Sequence, residues 1–297
     1  MWFLLAGWIF STTRATEGPA VTMAAVQIGP GDGYTAAGGG EPTPAVYRKL
    51  ATMTRQAADQ GASMVVWGEV VLPFDPRTDR REFVQKLARE TGTYIQTGWS
   101  VGAPDPTASN MTGLWDPDGR LVGVYYKIHP VILDNEAFVQ PQRYPVFDTA
   151  FGTVGMIICF DFSFEDPTRN MVENGAQIMT ASVGDWTNFA ATRIQTVQIR
   201  AAENRVSFVK GENFNGSAMV DATGTVLADA DMGPDGGQKL LTAAVPLGPR
   251  GAWYTSTGPL VGYLCVLVLV IRIVAQIRLR IRDGRWDPTA VSNVSGP

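Results

Sequence analysis

Residues 154–158, VGMII, run apolar at consecutive positions instead of alternate ones. A strand of that kind is covered on both faces, which restricts the fold to a sheet with layers on either side. Cys159 follows at once, then Phe160 and Asp161, and Pro167 with the polar stretch 168–170 reads as a helix start. A cysteine at such a junction has two readings. It is core packing, because free cysteine is among the most buried residue types, or it is a nucleophile at the mouth of a sheet.

The rest of the 297-residue chain alternates in the same way. Strands are read over 21–29, 63–69, 93–102, 176–184 and 206–214, and helices over 45–60, 79–92 and 189–205. Val46, Leu50, Met53 and Ala57 recur about one turn apart, Phe83 and Leu87 stand four residues apart, and Gly92 closes its helix. The turns Asp116-Pro117-Asp118-Gly119 and Asp221-Ala222-Thr223-Gly224 separate apolar runs and predict hairpins. The stretch 29–44 is rich in Gly and Pro, but no GxGxxG there opens a helix, so it is not read as a nucleotide loop. The alternation predicts an α/β chain, with mixed sheets covered by helices in one domain.

The C-terminal region has a different character. Residues 259–271 contain no charge, and from Trp253 to Ile277 the segment is about long enough for a tilted membrane span. Trp253 and Tyr254 suit one interface and Arg272 the other. From Arg272 onward stand five arginines (272, 278, 280, 282, 285) and two acids, leaving 19 basic and 26 acidic residues before it. An acidic body is a poor partner for nucleic acid. Arginines beside an apolar run are what cytoplasmic flanks carry. The expectation is a body over 21–250 on the extracytoplasmic side of a cell membrane, a transmembrane helix over 251–279 and a basic cytoplasmic tail over 280–297. The uninterrupted run also suits a buried core helix. Residues 1–20 hold a short apolar run, Trp2 to Phe10, too short to span. It is read as an interfacial anchor, an uncleaved export signal or the end of a longer span.

With two cysteines, Cys159 and Cys265, and one histidine, His129, neither a disulfide framework nor a Cys/His metal cluster is expected. No cofactor is expected. Three reactive residue types stand just beyond apolar runs: Glu69 after MVVWG, Lys127 after LVGVYY and Cys159 after VGMII. Singly, Glu69 and Lys127 read as solvated charges. Together they complement one another. A thiol near its ordinary pKa is mostly protonated at neutral pH and needs a base or a cation beside it. A partly buried carboxylate can take the proton and return it. An ammonium stabilises both the thiolate and the oxyanion of a tetrahedral intermediate. His129, two residues beyond Lys127, is an alternative base for Cys159. Asp185 and Trp186 follow another apolar strand and read as pocket lining or as loop packing. Arg200, Glu203 and Arg205 read as structural pairs.

In the motifs VVWGEVVLP around Glu69, YYKIHPV around Lys127 and CFD at Cys159, the chain resembles the carbon–nitrogen hydrolase (nitrilase) superfamily. SVGDW, IRAAENR and GAWYTSTG add to the likeness, which spans about residues 21–246 and is most like the catalytic domain of the apolipoprotein N-acyltransferase subgroup. The resemblance implies a four-layer α-β-β-α sandwich, a Glu69-Lys127-Cys159 triad and a thioester on Cys159. It implies N-acyl transfer from a phospholipid to a lipoprotein amine, or, with water as acceptor, hydrolysis of a small amide. Glu136, Phe160, Asp161 and Trp186 become candidates for the substrate pocket. Two positions depart from the family pattern: Gly68 stands where Pro is usual before the Glu, and Cys159-Phe160-Asp161 replaces Cys-Tyr-Glu. The subgroup also carries a bundle of membrane helices ahead of this domain, of which the segment 1–20 is at most a fragment. A catalytically inactive, membrane-tethered binding domain is the alternative that these departures suggest.

Overall fold

The computed structural model describes residues 18–29, 44–72, 74–80, 82–101, 109–131, 143–185, 189–230 and 237–283. Strands β1 (Ala20–Gln27), β2 (Met64–Val66), β3 (Tyr94–Val101), β4 (Ser109–Trp115), β5 (Leu121–Tyr126) and β12 (Lys239–Pro246) form one sheet, in the order β12-β1-β2-β3-β4-β5. Strands β6 (Val146–Thr149), β7 (Gly152–Ile158), β8 (Ile178–Val183), β9 (Ser207–Glu212), β10 (Ala218–Val220) and β11 (Val226–Asp229) form the second, in the order β11-β10-β9-β8-β7-β6. Each sheet has three parallel strands at its centre, β1-β2-β3 and β7-β8-β9, with antiparallel flanks. The strands of the parallel centres are buried on both faces, as for VGMII, and the adjoining antiparallel strands β4 and β10 are buried likewise.

Helices α1 (Pro44–Asp59) and α2 (Glu82–Thr91) cover the first sheet, and α3 (Asp166–Glu173) and α4 (Ala190–Asn204) cover the second. The periodic residues Val46, Leu50, Met53 and Ala57 of α1 are buried against Val65, Trp67 and Ile95. Between the sheets, Met23, Ala25, Met64 and Val66 pack with Val154, Met156, Ile158 and Ile178. Each such large side chain, taken out of water, contributes about 1.5–3 kcal/mol. The result is the four-layer α-β-β-α sandwich. A polar seam also crosses it: Gln96 and Thr112 of the first sheet hydrogen-bond to Thr180 and Ser182 of the second.

Both predicted hairpins form. Gly119 and Gly224 take φ of 73° and 85°, values that favour glycine, and their amides close onto Asp116 and Asp221. Three local expectations change. β2 stops at Val66, so Glu69 stands in the turn beyond the strand. β5 is the edge strand, with Leu121, Val122 and Tyr126 exposed and Tyr125 buried, so its apolar run does not mark a covered strand. The sequence pattern marks neither β6 nor β12, which pair antiparallel with β7 and β1.

The C-terminal part, from Thr257, is a separate unit. A short helix α5 (Trp253–Thr257) precedes it, and α6 (Leu260–Arg282) runs for 23 residues, about 35 Å. The helix has a mean hydropathy of 2.5 over its most apolar window and is long and apolar enough to cross a membrane. It continues beyond Arg272 to Arg282, so Arg272 is interior to the helix instead of at its end.

Candidate active site

The first sheet supplies a carboxylate and an ammonium. Past β2 the backbone turns sharply, and Val70 takes φ of 46°, a costly conformation for a β-branched residue. That turn places Glu69 in the interior. Its Oε1 accepts hydrogen bonds from Lys127 Nζ at 2.9 Å and Asn110 Nδ2 at 2.7 Å. Lys127, the first residue after β5, is itself buried, and its amide donates to Asn110 O at 2.9 Å. Asn110 thus holds both partners. The Glu69 backbone is stitched to the second sheet: its amide donates to Val183 O at 3.2 Å, and its carbonyl accepts from Asn213 Nδ2 at 2.7 Å.

Asn213 also accounts for Gly68. A Cβ at residue 68 would stand 1.9 Å from Asn213 Oδ1, so any side chain there forces Asn213 to shift.

The second sheet supplies the thiol. Cys159 follows β7 directly, takes φ of 41° and opens a 3₁₀ turn, Cys159–Ser163. A non-glycine residue with this φ at a strand end is a kinked presentation of a side chain. The sulfur is buried, and Sγ donates to Asp185 Oδ1 at 3.4 Å. Burial pushes the thiol pKa well above its ordinary value; the charges of Glu69, Asp185 and Glu212 push the same way, and Lys127 pulls it down. The resting sulfur is therefore a neutral thiol within electrostatic range of Glu69 and Lys127.

Asp161 joins the two sides. Its carboxylate accepts from Tyr125 Oη at 2.8 Å, the Ile128 amide at 3.2 Å, the His129 amide at 2.8 Å and the Ile158 amide at 3.2 Å. It thereby ties the segment after Lys127 to the strand that ends at Cys159. Burial pushes its pKa up to about 6, against the pull of those hydrogen bonds. The pocket role expected for Asp161 gives way to positioning, because the carboxylate is fully buried and committed to internal donors.

The histidine alternative falls. His129 Nε2 lies 3.1 and 3.2 Å from the two Asp166 oxygens, Tyr144 Oη donates to Asp166 at 2.8 Å, and the imidazole stacks on Phe164 at 3.8 Å. The ring is thus held on α3, and among the described residues no hydrogen bond joins it to the sulfur, which donates to Asp185. Phe160 is partly buried, edge-on to Phe164, with the Arg193 guanidinium 5.6 Å from its ring centre. Arg200 pairs with Glu203, while Arg205 supplies the left-handed residue that closes α4. Glu136 and Trp186 lie outside the described residues.

Four contributors escape a reading of the sequence: Asn110, Asn213, and the buried pair Lys210 and Glu212. Glu212 Oε2 accepts from Lys210 Nζ at 3.0 Å, and Oε1 accepts the amides of Asp185 at 3.1 Å and Asn213 at 2.9 Å. Burial pushes the Glu212 carboxyl upward and Lys210 pulls it down. A Lys and a Glu two apart in an otherwise apolar strand, VSFVKGENF, is the signal that could have found them. Among the described residues, no group of three or more His, Cys, Asp or Glu is placed to hold a metal ion.

Comparison with known proteins agrees with this architecture. Residues 22–255 match the family model Carbon-nitrogen hydrolase. An apolipoprotein N-acyltransferase of Geobacter metallireducens is 26% identical over 256 residues, covering 76% of this chain and 48% of that protein. A nitrilase of Pyrococcus abyssi is 30% identical over 183 residues, covering 56% of this chain and 68% of that protein. The chain thus spans about half the length of the curated acyltransferase that it matches. Among solved structures, a nitrilase-superfamily amidase of Nesterenkonia superimposes with a TM-score of 0.62 at 18% identity, covering 78% of this chain and 93% of that one.

Proposed function

The chain belongs to the carbon–nitrogen hydrolase family, and from that premise we propose that it is a membrane-anchored thiol enzyme that forms a thioester on Cys159. The carrying observation is the Glu69–Lys127 contact, whose two charges both act on the buried Cys159. Glu69 Oε1 is taken by its two donors, which leaves Oε2, on the side facing Gly184, as the oxygen that receives the thiol proton. As the S–H bond breaks, sulfur bonds to the acyl carbon and the carbonyl electron pair moves onto oxygen. Lys127 stabilises that oxyanion. Collapse expels the leaving group, which takes the proton back from Glu69. An amine or water then attacks the thioester, with Glu69 again as base, and Cys159 is freed.

N-acyl transfer, with a phospholipid as acyl donor and a lipoprotein amine as acceptor, is the leading reading. The motif resemblance, the acyltransferase relative and the apolar helix α6 support it. On this reading α6 crosses the cell membrane, the arginines at its C-terminal end face the cytoplasm and the catalytic body is extracytoplasmic. Amide hydrolysis is the second reading, supported by the coverage of nearly the whole of the Nesterenkonia amidase fold.

The test is to incubate the full chain separately with phospholipid vesicles and with a simple primary amide, and to map adducts by peptide mass spectrometry. A fatty-acyl adduct at Cys159, lost in Cys159→Ala, supports transfer. An adduct from the amide alone supports hydrolysis. No adduct from either overturns both and leaves an inactive tethered domain.

A further inference from the structure

Three pairs of opposite charge surround the buried sulfur, and the reaction above uses one. Glu69–Lys127 is that pair. The other two are Asp185–Arg193, at 3.0 Å, and Glu212–Lys210, also at 3.0 Å. Burying ion pairs is costly, and the cost is not recovered in stability unless the geometry satisfies every polar atom. Here it does not. Asp185 is buried, yet its Oδ2 makes no hydrogen bond, and Arg193 Nε, though 3.0 Å away, makes none either. The two charges are close but not aligned. Arg193 is instead held by Ser163 Oγ at 2.6 Å and by the Phe160 and Phe162 rings. The other oxygen of Asp185 accepts the Cys159 thiol, and the Asp185 amide is fixed by Glu212.

We propose that Asp185 is a second catalytic carboxylate of this centre. It holds the thiol by hydrogen bond and keeps the sulfur neutral until an acyl group is bound, with Glu212 and Lys210 fixing its backbone and Arg193 opposing its charge. The proposal rests on Cys159 being the nucleophile. A thiolate formed beside the Asp185 carboxylate is repelled by it, so the proton leaves only when Glu69 can take it and the acyl carbon can take the sulfur lone pair. Among the described residues, the charged groups that act on the sulfur are Glu69, Lys127, Asp185 and Glu212, with Arg193 beside Asp185 and Lys210 beside Glu212. Removing the carboxylate charge at 185 thus favours the thiolate, and removing the cation at 193 disfavours it.

The experiment follows alkylation of Cys159 by iodoacetamide across pH in the full chain, read by peptide mass spectrometry, with added glutathione as the internal reference. In Asp185→Asn, alkylation at neutral pH should rise about tenfold or more and its pH midpoint should fall, consistent with a like-charge effect of about one pKa unit or more. Acylation of Cys159 by the substrate should fall in the same variant, because the sulfur is no longer held in place. Loss of structure would also speed alkylation by exposing the buried sulfur, so the rates are compared only in variant protein that keeps the wild-type thermal unfolding transition. In Arg193→Gln the alkylation midpoint should rise. A midpoint that stays or rises in Asp185→Asn overturns the proposal. Should that variant not fold, a midpoint that stays or falls in Arg193→Gln does so. Alkylation needs no turnover, so failure of acyl transfer leaves this result readable by itself.

Discussion

The two sides of the centre treat their carboxylates differently. On the first sheet, Glu69 shares one oxygen between Lys127 and Asn110, both well aligned and both buried with it. On the second, Asp185 stands just as near its cation, Arg193, but forms no hydrogen bond with it and gives its other oxygen to the thiol. Separation alone therefore does not describe a pair. Alignment decides whether a carboxylate is neutralised in place or keeps charge to spend on a third group. The first arrangement suits a base that must stay at one address through repeated proton transfers. The second suits a group that restrains a nucleophile.

The comparison breaks first at Glu69. Glu69→Gln keeps the shape and removes the base, and acylation of Cys159 should slow by about 100- to 10,000-fold in adduct-formation kinetics. A loss of only a few fold would move the base role to Asp185 and reverse the assignment of the two sides.

Asp161 tests the link between the sides. Its folded pKa, about 6, lies above the ordinary 3.8, so the folded state binds the proton more tightly than the unfolded state does. The associated stability is present below about pH 4 and is lost as pH rises to about 6, an effect of about 3 kcal/mol. Unfolding of the wild type, compared with Asp161→Asn over that range, should show this fall. Glu212 shifts in the same direction and cancels in the difference. The opposite slope would mean that the four hydrogen bonds outweigh burial.

The smallest effect is expected at Gly68. Gly68→Ala drives a methyl into Asn213 and should cost about 1–3 kcal/mol in denaturant unfolding. The cost should shrink in an Asn213→Ala background. Equal cost in both backgrounds would detach Gly68 from the Asn213 bridge that holds the Glu69 carbonyl.

Much of this molecule is legible along the chain. The one-turn spacing of Val46, Leu50, Met53 and Ala57 identifies a face of α1, and the Asp-x-x-Gly turns identify two hairpins. The residue types at 69, 127 and 159 announce their chemistry, because each interrupts an apolar run with a reactive group. All of these are local signals, carried by neighbours within a turn or a strand. The edge position of β5 is not such a signal: its apolar residues look the same whether or not a further strand lies beside them.

What the sequence by itself determined was most of the elements, their order and the three reactive residues, because periodicity and turn chemistry act over a few bonds; the flanking strands β6 and β12 carried no such signal. Only the tertiary structure decided that Asn110 and Asn213 hold Glu69, that Asp161 braces instead of lining a pocket, that His129 faces Asp166, and that Asp185 meets the sulfur. Those contacts join residues far apart in the chain, most of them across two sheets. They depend on strand register and on how the sheets face one another, and no one-dimensional pattern carries either.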